Sequence, residues 1–69
     1  MGNYFSRKEI IYAVYQAKSF SKAAKKLFIA QPSLSITVAR LEEELGFPIF
    51  DRTISPISLT PQGKIYIEH

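Results

Sequence analysis

The chain is 69 residues long, contains no Cys and carries a formal net charge of +3, which allows one small domain and excludes disulfides and thiolate metal sites. Its longest apolar runs, such as Ile10-Ile11 and residues 27–30, are far shorter than the roughly 20 residues a membrane-spanning helix needs. No secretory signal is present either, so a cytoplasmic protein without membrane association is the expectation. The charge is uneven: residues 1–40 hold seven Lys/Arg against one acid, and residues 41–69 hold two against five. A basic half followed by an acidic half suits one face to a polyanion, or is simply an uneven solvated surface. Met1-Gly2-Asn3-Tyr4-Phe5-Ser6 fits the loose N-myristoylation pattern, which is short and common, and nothing else in the chain suggests a lipid anchor.

Residues 6–18 are predicted to form the first helix. Ser6 can cap it, and Glu9 three residues later completes a capping box. Ile10, Ala13, Val14 and Ala17 fall at helical spacing as its core stripe, with Tyr12 and Tyr15 toward the flanks. Lys18-Ser19 makes a short break. Ser21 is the expected N-cap of a second, short helix over 22–28. Its buried face would be Ala23, Ala24, Leu27 and Phe28, with Lys22, Lys25 and Lys26 on the solvent side. The two small Ala side chains allow another helix to approach closely.

Ile29-Ala30 makes a turn, and a third helix over 31–45 begins at Gln31. Pro32 sits in its first turn, where a missing N–H costs nothing, although Ala30 before it is a poor N-cap. Leu34, Val38, Leu41 and Leu45 form one apolar stripe, and Gly46 supplies the stop. Residues 49–52 and 57–59 read as two short strands around a loop at 53–56; such a hairpin is unstable alone and must pack on the helices. Thr60 then caps a last helix that has Pro61 at its first position and runs through Lys64, Ile65 and Ile67. That apolar helix meets His69 within two or three turns, which suggests a piece of a longer protein. The expected division is therefore a domain over 1–60 and the start of a further helix over 61–69.

Two helices joined by a tight turn, the second longer, make a helix-turn-helix. Such a unit needs a second helix with its apolar face inward and small or polar residues outward near its N-terminus. At about 100° per residue, Pro32, Ser33, Ile36 and Arg40 point away from the Leu34 stripe, with Ser35 and Thr37 on the flanks. Gln31 could offer its amide to a base edge, the hydroxyls could reach bases or phosphates, and N–H groups at the helix start could hold a phosphate. The outward Ile36 could pack on a thymine methyl; it could equally be an idle surface residue or a protein contact. Lys22, Lys25 and Lys26 could neutralise phosphates, against the plain alternative of a solvated helix face. The run Glu42-Glu43-Glu44 reads as solvated and turned away from DNA.

Other chemistry finds little support. His69 is alone and terminal, so neither a metal cluster nor a His-based catalytic pair can be built on it. Asp51 and the Glu run lack a second acid placed for acid–base work. The glycines stand scattered at positions 2, 46 and 63, so there is no Gly-rich phosphate loop. No cofactor, metal or catalytic residue is expected.

Ser19-Phe20-Ser21-Lys22-Ala23-Ala24-Lys25-Lys26-Leu27 resembles the second-helix signature of LysR-type transcriptional regulators. Ala30-Gln31-Pro32-Ser33-Leu34-Ser35, running on to Leu41-Glu42-Glu43-Glu44-Leu45-Gly46, is similar to their recognition helix. Phe50-Asp51-Arg52 and Leu59-Thr60-Pro61-Gln62-Gly63 resemble the wing and the start of the linker helix. The likeness covers about residues 10–69. It implies a mainly α winged helix-turn-helix: a three-helix core, a two-stranded wing and the start of a linker helix. It also implies a bacterial regulator that binds double-stranded DNA as a homodimer through its last helix. A C-terminal domain beyond this sequence would sense a small-molecule effector.

On matching positions the resemblance puts Gln31, Pro32, Ser35 and Ile36 nearest the bases, with Ser33 beside them. Ser21, Lys22 and Thr37 fall near phosphates, joined by Lys25, Lys26 and Arg40, and Arg52 falls at the wing base with Thr53 and Ser55 in the wing. Three positions depart from the family's pattern. Ile36 stands where many members have Arg or another polar residue, Ser55 where the wing often has an Arg that enters the minor groove, and Lys8 where helix 1 often has an apolar residue. The competing reading is a winged-helix module kept for protein contact through Ile36 and the last helix.

Overall fold

The computed structural model describes residues 5–54 and 56–68. Residues 1–4 of the myristoylation-like stretch, Ser55 of the wing and His69 lie outside the described residues. Helix α1 spans Arg7–Ala17 and starts as the sequence predicts. The Ser6 hydroxyl accepts from the Glu9 amide at 3.2 Å while the Glu9 carboxylate accepts from the Ser6 amide at 2.7 Å, so two otherwise orphaned donors are satisfied reciprocally. The helix ends at Lys18 in the left-handed region, its N–H donating to Val14 O at 2.8 Å. The buried stripe is wider than predicted: Ile10, Ala13 and Val14 are joined by Ile11, which is wholly enclosed, and Ala17 is only half-buried.

Helix α2 spans Phe20–Leu27 and corrects two expectations. Its N-cap is Ser19, whose hydroxyl accepts from Lys22 N at 3.1 Å; Ser21 is an exposed first-turn residue instead. Starting two residues earlier brings Phe20 into the helix and the core, where it completes the buried set Phe20, Ala23, Ala24 and Leu27. Phe28 is not part of that set. It is the left-handed C-cap at φ 59° and is 92% exposed, because a residue in that conformation no longer projects from the helix's buried face. Helix α3 spans Gln31–Leu45, has no side-chain N-cap bond from Ala30, and stops at Gly46. Gly46 holds φ +85° in open space, so its backbone conformation rather than crowding favours glycine there.

The strands β1, Phe50–Asp51, and β2, Ser58–Leu59, are shorter than predicted and pair antiparallel with Phe50 opposite Leu59 and Asp51 opposite Ser58. Helix α4 spans Pro61–Glu68, with the Thr60 hydroxyl accepting from Gly63 N at 2.9 Å as its cap. One core joins all of this: Ile11, Val14, Leu34, Val38 and Ile49 are its largest wholly enclosed side chains. Each such side chain contributes about 1.5–3 kcal/mol through burial. Phe20 of α2 meets Phe50 of β1 edge-on, with ring centroids 6.1 Å apart, so the wing root is packed on the helices rather than left free.

Candidate nucleic-acid interface

The face of α3 turned from the core carries the residues that the sequence singles out. Leu34 and Val38 are fully enclosed, while Gln31, Pro32, Ser33 and Arg40 are exposed, and Ser35 and Thr37 lie half-buried on the flanks. Ile36 is 54% exposed and stands in the middle of this face with Ser33 and Arg40 about one turn to either side. Pro at the second helical position leaves the N-terminal end of α3 free of bulky charge. Lys22, Lys25 and Lys26 are all exposed on α2, whose last turn holds the latter two beside the helix's C-terminal carbonyls, a favourable place for cations.

Ser21, Gln31 and Arg52 line one surface recess of about 320 Å³, together with Lys18, Ile54 and Ile57. The start of α2, the start of α3 and the wing thus meet there, and Ile57 N donating to Lys18 O at 3.3 Å ties the wing to the junction of α1 and α2. Thr37 and Arg40 do not join them. They line a separate recess between α1 and α3, beside the Arg7–Glu44 ion pair at 2.9 Å. In the wing, the hydroxyl and the amide of Thr53 both donate to Asp51 Oδ1. The hydroxyl's bond and then the amide's hold the Asp51 carboxyl below its ordinary range. Ser55, the other wing candidate, lies outside the described residues.

Glu42 is the residue that the sequence reading misplaced. Its side chain is only 11% exposed. One carboxylate oxygen accepts from Ile49 N at 2.7 Å and Phe50 N at 3.2 Å, and the other accepts from Arg52 Nη1 at 3.0 Å. Helical spacing does not single it out: at about 100° per residue Glu42 and Glu44 flank the Leu34–Val38–Leu41–Leu45 stripe on opposite sides, and only Glu43 falls opposite it. Arg52 is held further by a cation–π contact, its guanidinium carbon 4.9 Å from the Phe20 ring centroid. Among the described residues there is no group of three or more His, Cys, Asp or Glu able to hold a metal ion, and no helix long and apolar enough to cross a membrane.

Comparison with known proteins places this geometry. The regulator BenM of Acinetobacter baylyi is 46% identical over 57 residues, 83% of this chain and 19% of BenM. The uncharacterized regulator YcgK of Bacillus subtilis is 47% identical over 55 residues, 80% of this chain and 17% of that protein. The chain therefore spans about a fifth of the length of these relatives. Among solved structures, the BenM DNA-binding domain in complex with benA site 1 DNA superimposes with a TM-score of 0.83 at 44% identity, covering 86% of this chain and 66% of that one. Vibrio fischeri DarR in complex with DNA gives a TM-score of 0.86 at 34% identity, covering 88% and 21%. Residues 5–64 match the family described as bacterial regulatory helix-turn-helix protein, lysR family, and the chain belongs to that family.

Proposed function

We propose that this chain binds double-stranded DNA sequence-specifically as the DNA-reading module of a LysR-type transcriptional regulator. Helix α3 lies in the major groove and the wing, residues 49–59, lies near the minor groove. The observation that carries the reading is the outward face of α3, with a small, uncharged N-terminal end and a half-exposed Ile36, in a fold that also leaves three lysines of α2 exposed. Gln31, Pro32, Ser33, Ser35 and Ile36 are the base-proximal residues. Ser21, Lys22, Lys25, Lys26, Thr37, Arg40 and Arg52 serve phosphates, and Thr53 and Ser55 serve the wing. Relatives of the same fold solved with DNA support the reading. The whole protein acts as a homodimer in the cytoplasm, carries its effector site in a further C-terminal domain, and is not an enzyme.

Fluorescence anisotropy of an AT-rich inverted-repeat duplex, titrated with the protein at several salt concentrations, tests this. Phosphate neutralisation requires log K to fall steeply with log salt. Lys22→Ala should weaken binding on every sequence and make the slope shallower by about one, whereas Ile36→Ala should alter affinity on only some sequences. A folded protein that binds no duplex at low salt would instead favour protein contact through the exposed apolar residues Ile36 and Ile65.

A further inference from the structure

We propose that Glu42 is a positioning residue for DNA binding: it holds the Arg52 guanidinium so that Arg52 presents its remaining N–H groups to a phosphodiester seated in the recess between α2 and the wing. The inference rests on the DNA-binding reading and names one contact within it. A guanidinium carries five N–H donors. The only hydrogen bond of Arg52 among the described residues uses one nitrogen, on Glu42, and the guanidinium carbon rests over the Phe20 ring. The side chain is still 41% exposed and lines the recess with Lys18, Ser21 and Gln31. Arg52 is thus fixed from two sides and open on a third.

A planar fork fixed in advance suits a phosphate, which it can meet with two donors at once. The ordering of a long side chain is then largely complete before the ligand arrives, which lowers the cost of binding. Glu42 also accepts from the Ile49 and Phe50 amides at the root of β1, so the same carboxylate sets the position of the strand that Arg52 directly follows. The recess borders both the start of α3 and the wing, so an anion there would be gripped by the two elements together.

Glu42→Gln separates positioning from charge by the sign of its effect. Removing an acid near a polyanion strengthens binding if charge alone matters. Loss of positioning instead weakens it, by about 5- to 10-fold at fixed salt, and makes the salt slope shallower by about one as the Arg52 contact is lost. Arg52→Gln should do the same, and the double variant should lose no more than Arg52→Gln alone. Amide resonances of Ile49 and Phe50 report whether Glu42→Gln keeps the wing root. If that variant does not fold, Arg52→Lys carries the test, since it keeps the charge and leaves the bonds of Glu42 to the amides untouched. Affinity falling to the Arg52→Gln level supports the proposal. Unchanged or tighter binding by Glu42→Gln, or wild-type binding by Arg52→Lys, overturns it while the DNA reading stands. Absence of salt-dependent binding by the unmodified chain overturns both.

Discussion

Asp51 and Thr53 form a closed local unit in the wing, two residues apart, and the carboxylate there is favoured by the donors it receives. A group whose folded pKa is depressed contributes stability that is fully present above its unfolded value, about 3.9 for Asp, and lost as pH falls through the folded value. Acidification below about pH 4 should therefore release the Thr53 amide, seen as an upfield shift of its proton resonance, while an Asp51→Asn variant shows no such transition. Phe28 presents the opposite case, a side chain the fold does not use. It occupies a left-handed conformation at φ 59°, which is uncommon for a bulky residue, and buries almost nothing in return.

Where an element begins decides which side chains it buries. Ser19 and Ser21 are both good N-caps by composition, and only the cost of leaving Phe20 outside the core distinguishes them. With Ser19 as the cap, Ser19→Ala should lower stability by about 1 kcal/mol, while Ser21→Ala should stay within about 0.5 kcal/mol of the parent; chemical denaturation followed by circular dichroism separates the two. The elements legible in the sequence were those with a local signature. The Ser6–Glu9 box, the four-residue stripe of α3, the Gly46 stop and the Thr60-Pro61 start all appear in the structure. What was not legible depended on partners distant in sequence. Glu42 is polar by identity, and only the Ile49 and Phe50 amides seven and eight residues away make it a part-buried acceptor. Of the candidate site, the exposure pattern along α3 could be read from periodicity, whereas the meeting of Ser21, Gln31 and Arg52 in one recess required the tertiary fold.

At the scale of the molecule, the starts of α2 and α3 meet through Ser21 and Gln31 in one recess, while apolar exposure on α4 centres on Ile65 at 59%. Tyr66 and Ile67 of that last helix are already half-buried against the chain's own core. Lys8 stands over the Tyr66 ring at 5.5 Å. A helix of two turns with one well-exposed apolar residue offers far less than the roughly 800 Å² per partner of a stable interface, so sedimentation at micromolar concentration should show a monomer. The root of α4 has a mechanical consequence. A Cβ on Gly63 would lie 2.1 Å from Ile49 O, and the Thr60 hydroxyl donates to Pro48 O at 2.6 Å, so the helix leaves the wing base from a joint with no slack. At 1.5 Å per residue, any helical continuation acts as a strut whose angle is fixed at that joint. Two such modules sharing their struts would work as a caliper: the gap between its jaws, and hence the spacing of two sites it can span, would be set by the seating of Gly63 on Ile49 rather than by any loop.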